Sequence, residues 1–310
     1  MVRNKGVAPR KSVWLIFLKY KYLYVLLIPV LIWYVVFCYG PMYGIVTAFQ
    51  DYNMNKGTFG SAFVGLKHFR LLFADVDFWR SFKNTVIIAV YRMVIGFPIP
   101  ILTALFINEI RHRRYKKLVQ TAIYLPHFLS WVIVASILLT VFSPERGLIA
   151  ALYNSFGGSA PDILTQPRYF RSMLVLSDLW KETGWNTIIY IAAIAGVDIS
   201  LYESAVLDGA GRLQRAWHVT LPGISNVVVI MLILTVGTVL SAGFDQVFNL
   251  YNPIVYETGD ILDTFVFRSA LKDNKLSYAA AAGLFKSVIS VVLLLSTNMI
   301  ANALQQEGIY

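Results

Sequence analysis

A polar segment, Glu203–Pro222, lies between two long apolar runs and reads ESAVLDGAGRLQRAWHVTLP. It opens on an acid, Glu203, adds Asp208, puts Gly209 near its middle and carries Arg212 and Arg215 in its second half. None of these is a nucleophile set beside a base. The chemistry within reach is docking, with ion pairs and hydrogen bonds around an apolar anchor. A second group of ionisable residues lies inside apolar runs: Arg92, Asp178, Lys181, Glu182 and Lys286. Each costs about 2.5–3.5 kcal/mol to place at the middle of a membrane helix, so each implies a pathway, an internal pair or a reach to the interface. Asp178, Lys181 and Glu182 stand at i, i+3, i+4, so Asp178 and Lys181 could neutralise one another on one helix face.

Near these charges are residues suited to sugars. A pyranose offers an apolar face and a rim of hydroxyls, which suits a pocket of aromatic planes with a few convergent polar groups. Trp180, Lys181, Trp185 and Asn186 fit that chemistry in one run, and Phe244, Asp245, Gln246 and Asn249 in another. The competing reading of the aromatics is an interfacial belt or bundle packing. Catalysis finds no support. His68, His112, His127 and His218 are scattered without metal-ligand spacing, and no metal site is expected. The single cysteine, Cys38, makes no disulfide framework. No G-x-x-x-x-G-K-[ST] phosphate loop occurs; Gly283-Leu284-Phe285-Lys286-Ser287 has Lys-Ser but lacks the preceding Gly.

The elements that must position these residues are membrane helices. The chain of 310 residues is 57% hydrophobic and 14% charged, with mean hydropathy +0.61, whereas soluble domains carry roughly 25% charged residues. About 20 apolar residues cross the hydrocarbon core. Six runs qualify: 22–50, 84–108, 118–144, 172–196, 225–244 and 276–306, the fourth being weakest because of its three charges. Six spans place both termini on one side. Residues 1–21 hold six Lys/Arg and no acid, and 111–117 hold five more. That side is therefore read as the cytoplasm, and the segment 203–222 lies on it. The charge of +10 is read as topology rather than nucleic-acid binding. No cleavable signal peptide is expected, because the apolar run after the basic start is too long. The stretch 51–83, rich in Phe and charge, reads as an amphipathic element in the outer interface. The organisation is then 1–83, a terminus, first span and outer segment, followed by 84–306, a five-helix core with the polar loop at 200–222.

Within that loop, Ser200 and Glu203 have capping-box spacing, which starts a short helix near Leu201. Gly209 ends it. A second short helix runs from Ala210 to His218 with Leu213, Ala216 and Trp217 on one face, and Pro222 suits the first turn of the next span. A re-entry helix packed under the bundle would account for the cap alone. The whole pattern resembles the EAA motif of membrane permease subunits of binding-protein-dependent ABC importers: Glu-Ala-Ala, three residues, Gly, nine residues, Ile-x-Leu-Pro. Here it reads Glu203-Ser204-Ala205, Gly209 and Val219-Thr220-Leu221-Pro222, with Ser204 and Val219 as departures. Tyr124-Leu125-Pro126-His127-Phe128, Trp180, Gly184-Trp185, Asp208-Gly209-Ala210 and Gly243-Phe244-Asp245-Gln246 resemble the sugar-type permeases, in particular the LplB-like subgroup serving oligosaccharide and polysaccharide-fragment importers.

The resemblance implies an all-α integral membrane protein of the type I ABC importer permease class. Its MetI-like core would have six transmembrane helices and a cytoplasmic coupling helix pair. It implies that Glu203, Ser204, Ala205, Asp208, Gly209, Ala210, Trp217, Leu221 and Pro222 couple to an ABC ATPase dimer. That dimer, not this chain, would bind ATP and Mg; no cofactor is expected here. It also implies a second homologous permease, an extracytoplasmic solute-binding protein, a place in the bacterial cytoplasmic membrane and transport by alternating access. An ion-driven secondary transporter of a sugar-like solute is the alternative. That class favours inverted repeats with broken helices, and no repeat is visible.

Overall fold

The computed structural model describes residues 19–303, so most of the basic N-terminus and the end of the sixth predicted span lie outside the described residues. Among the described residues three helices are long and apolar enough to cross a membrane: α1 (Lys21–Phe49), α3 (Val76–Asn108) and the last helix, Leu276–Ala303. Three helix pairs are apolar enough together but bend sharply at a short break, so the described residues hold up to six spans if each pair counts as one. The pairs are α4 (Arg113–Phe128) with α5 (Trp131–Val141), bent by 98°; α7 (Pro167–Ala195) with α8 (Ile199–Leu207), bent by 75°; and α9 (Arg212–Gly223) with α10 (Ser225–Thr238), bent by 65°. Among the described residues the strands form one antiparallel ladder, β1 (Gln50–Asp51) against β2 (Ala62–Phe63), and the regular structure is otherwise helical.

The third predicted span, 118–144, is not one straight rod. Pro126 brings no N–H to the helix ladder, and Ser130 starts a new helix by accepting from the Ile133 amide at 3.4 Å. The run is therefore two half-length pieces, about 24 and 16 Å at 1.5 Å per residue. α7 crosses α4 closely at Gly184, where a Cβ would stand 1.9 Å from the Ile123 carbonyl oxygen. Only glycine permits that approach.

The segment 51–83, read from sequence as an amphipathic interfacial element, has partners within the protein. It folds into β1, β2 and α2 (Lys67–Ala74) and packs on the bundle, because its apolar side finds protein partners. Leu72 and Phe78 join Leu262, Phe265 and Ala282 in a buried cluster, and His68 is buried with its Nε2 3.1 Å from the Gln50 carbonyl. Between the longer helices lie α6 (Leu148–Ser155), α11 (Phe244–Leu250) and α12 (Leu262–Leu271), and the last helix is α13 (Leu276–Ala303).

Candidate functional site: a coupling loop and an intramembrane cleft

The loop begins at Asp198. Its carboxylate accepts from the Ser200 amide at 2.9 Å, and that bond holds its pKa below the usual carboxylate value. The helix cap is thus Asp198 rather than the Ser200–Glu203 box. The helix starts two residues earlier, and the Ser204 hydroxyl turns back to the Ser200 carbonyl at 2.9 Å. Glu203 is left exposed and free of a capping task. Gly209 ends α8 at φ +78°, a left-handed conformation that disfavours other residues by roughly 1–2 kcal/mol. Gln214 caps the start of α9 by accepting from the Gly211 amide at 2.7 Å. At the base, the Tyr202 hydroxyl donates to Thr220 Oγ1 at 2.9 Å, tying the two helices together. The far end carries apolar side chains in solvent: Leu207 is 88% exposed, Leu213 79% and Trp217 57%. Ala205, Asp208, Gly209 and Ala210 line a shallow hollow between the two helices with Arg215 and His218. Leu221 and Pro222 open the turn that leads into α10.

The intramembrane charges are paired, but not as spacing suggested. Asp178 faces Arg92 of α3 at 3.8 Å, not Lys181. The Arg92 guanidinium also donates to Gln246 Oε1, and it can reach there because Gly243 has no side chain. A Cβ on Gly243 would sit 2.6 Å from the guanidinium. Gln246 is fully buried and donates to the Leu174 carbonyl at 2.8 Å and to Ser177 Oγ at 2.7 Å. It braces α11 to α7 and is not part of a cavity wall.

Lys181 points to the other side of α7. Its ammonium donates to the His127 carbonyl at 2.9 Å and to Glu182 at 2.8 Å. The first bond satisfies a carbonyl freed by the break between α4 and α5, which a lipid-embedded chain must pair internally. Glu182 also meets His127 Nδ1 at 2.7 Å, and the His127 ring stacks on Trp185 with centroids 4.4 Å apart. Lys286, on α13, reaches Asp263 of α12 at 2.5 Å. The charges are thus held inside the bundle by pairs.

A cleft of about 210 Å³ runs between α3, α7 and α10. Arg92, Asp178, Glu182, Thr183, Asn186 and Thr235 are among its polar lining. Of the sugar-type candidates, Asn186 faces this cleft. Trp180 lies on another face of α7, in an apolar groove beside Leu138 and Phe142. Lys181 and Trp185 belong to the His127 cluster. Phe244 stacks on Phe248 at 5.3 Å. Asp245 is exposed, and Asn249 donates to the Asp245 carbonyl at 2.7 Å within its own helix. Thr183, Thr235 and Thr238 were missed by sequence reasoning, because a threonine in an apolar run gives no sign of which neighbour it faces.

A helix pair with exposed apolar side chains at its tip, set between two long apolar runs, is a surface shaped for docking. Residues 96–306 match the family described as binding-protein-dependent transport system inner membrane component, and the chain belongs to that family. It is the permease subunit of an ABC importer. It is 44% identical to the polygalacturonan/rhamnogalacturonan transport system permease protein YteP of Bacillus subtilis (strain 168), over 97% of this chain and 94% of that protein. It is 42% identical to Protein LplB of the same organism, over 100% of this chain and 96% of that one. A crystal structure of a bacterial alginate ABC transporter, in complex with a periplasmic protein bound to alginate pentasaccharide, contains a chain of the same fold. The TM-score is 0.89 at 37% identity, covering 96% of this chain and 100% of that one. The break at 125–130 is a feature of secondary transporters, but membership of this family assigns the chain to ABC import.

Proposed function

We propose that this permease carries an oligosaccharide or polysaccharide fragment across the bacterial cytoplasmic membrane by alternating access, with both termini inside. In this reading an ABC ATPase dimer, which holds ATP and Mg, seats the α8–α9 pair. A second homologous permease completes the pathway, and an extracytoplasmic solute-binding protein delivers the sugar. The observation that carries the reading is the build of the loop. It is capped and tied at its base, turned by Gly209, and presents Leu207, Leu213 and Trp217 to solvent at its tip. Such exposed apolar residues at a rigid tip suit a hydrophobic seat on a partner. Glu203 and Asp208 supply charge at its rim. Support for a saccharide comes from the cleft, where hydroxyl and amide groups of Thr183, Asn186 and Thr235 stand near charged Asp178 and Glu182, and from the pectic and alginate systems named for its relatives.

The test has two parts. A tagged chain should bring down an ATPase and a second permease. Glu203→Ala and Gly209→Pro should leave the chain in the membrane but stop uptake. The complex in vesicles should show ATPase activity stimulated by the binding protein loaded with an acidic oligosaccharide. A chain that never retains an ATPase, with both variants transporting normally, would falsify the importer mechanism proposed here.

A further inference from the structure

The turn and first helical turn at Arg111, Arg113, Arg114, Lys116 and Lys117 hold five cations in seven residues, without an acid among them. All are exposed except Lys116, which is half-buried. Among the described residues no ion pair reaches any of the five. The nearest acid in sequence, Glu109, is directed at Arg212 of the coupling loop, 3.8 Å away. The arrangement is locally unfavourable. Pairs at 113–116, 113–117 and 114–117 are like charges on neighbouring helix positions, each slightly destabilising. The cations also sit at the positive end of the helix dipole, where acids are favoured, and the first turn of α4 contains none.

The same helix exposes an apolar stripe. Tyr115, Leu118, Ala122 and Leu125 recur at helical spacing, with Tyr115 59%, Leu118 65% and Leu125 64% exposed. The stripe starts beside the cations and runs away from them toward the break at Pro126. A surface with a basic head and an apolar tail matches an amphiphile of opposite headgroup charge, not a water-soluble anion and not a purely acidic protein face.

We infer that this turn is a binding site for the headgroup of an anionic phospholipid of the inner leaflet, with the acyl chain along the Tyr115–Leu125 stripe. Each basic residue near a charged leaflet contributes about fivefold in affinity. The Glu109–Arg212 contact places the occupied site beside the coupling loop. The inference rests on the cytoplasmic placement of the loops proposed above, but its readout does not require transport.

The experiment is native mass spectrometry of the purified full chain, with the subunits it retains, in detergent with equimolar phosphatidylglycerol and phosphatidylcholine. The wild type should keep phosphatidylglycerol preferentially, and the preference should fall as salt is raised, because the contacts are exposed. Arg113→Gln/Arg114→Gln should lower the preference by an order of magnitude or more. Arg114→Lys should keep it, and Lys56→Gln, on the outer segment, should leave it unchanged. An equal loss from Lys56→Gln, a preference insensitive to salt, or no change in the double variant overturns the site. Loss of the ATPase from the double variant with lipid preference intact also overturns it, since the turn would then be a protein contact. Absence of an ATPase from every preparation would sink the importer mechanism while leaving the lipid preference measurable.

Discussion

The cleft and the coupling loop manage their polar groups in opposite ways. In and around the cleft, charges are answered inside the bundle and mostly across elements: Arg92 of α3 by Asp178 of α7 and Gln246 of α11, and, on the other side of α7, Lys181 by a carbonyl at the α4–α5 break and by its neighbour Glu182. In the loop, the bonds that set the shape are mostly local, Asp198 to Ser200, Gln214 to Gly211 and Tyr202 to Thr220, while Glu203, Asp208 and Trp217 remain exposed. The difference follows from solvent. Lipid cannot satisfy a polar group, so the cleft must close its own network. Water can, so the loop is free to keep its recognition groups open for a partner. The first region should be sensitive to any break in packing or pairing, and the second should lose function while keeping its fold.

The largest effect should come from Gly184→Val. The added Cβ meets backbone of α4, not a movable side chain, so the α4–α7 crossing must open. We expect destabilisation by more than about 4 kcal/mol, in the class of severe core disruption, seen as loss of a monodisperse peak on size-exclusion chromatography. A stable, well-behaved Gly184→Val protein would show that the crossing is not as close as described. Lys181→Met should come next. It leaves half-buried Glu182 and the His127 carbonyl with one partner fewer, at a cost of roughly 3 kcal/mol. Lys181→Met/Glu182→Gln should recover part of that loss, because the unpaired charge is gone. Strictly additive changes in melting temperature would show that the two side chains are not coupled.

These residues also show what could be read without the fold. The EAA spacing located the loop because its determinants lie within twenty residues, and Gly209 was legible because a left-handed helix end selects glycine. The partners of Asp178 were not legible. Helical spacing tells which residues share a face, and Lys181 shares one with Asp178, yet the side chain turns to the carbonyl freed by the break 54 residues earlier. Hydropathy could not show that break, since 118–144 carries no Asp, Glu, Lys or Arg and only Pro126 with Ser130 marks it. Gln246 read as a sugar ligand because a planar amide in an aromatic run suits a hydroxyl. Its burial against Arg92, Leu174 and Ser177 comes from three elements far apart in sequence.

On the loop side the expected effects are functional or small. Trp217→Ala should reduce uptake several-fold and weaken ATPase retention, with the melting temperature within the range of a surface change. An unaltered ATPase complex would remove Trp217 from the docking surface. Asp245→Ala should alter neither uptake nor stability measurably, because the side chain is exposed and its carbonyl, not its carboxylate, holds Asn249. A strong transport defect would instead place Asp245 on the sugar route.

The smallest measurable effect should be that of the Asp198 cap, and it separates the two regions by pH. Its folded pKa is depressed, chiefly by the Ser200 amide. A depressed carboxylate contributes stability above its unfolded value, here 3.8, and loses it as pH falls through the folded value. Asp198→Asn keeps an acceptor for the amide and removes only the titrating charge, and Asn caps nearly as well. Near neutral pH the variant should therefore couple normally. Its α8 amides should exchange slightly faster than wild type there, and the difference should vanish in acid, where both caps are neutral. Amide exchange in α7 around Lys181 should be the same in both proteins throughout, because the cap shares no partner with that cluster. A change that spread into α7 would mean that the loop and the cleft are one cooperative unit, and that the local closure of the loop does not insulate it from the bundle.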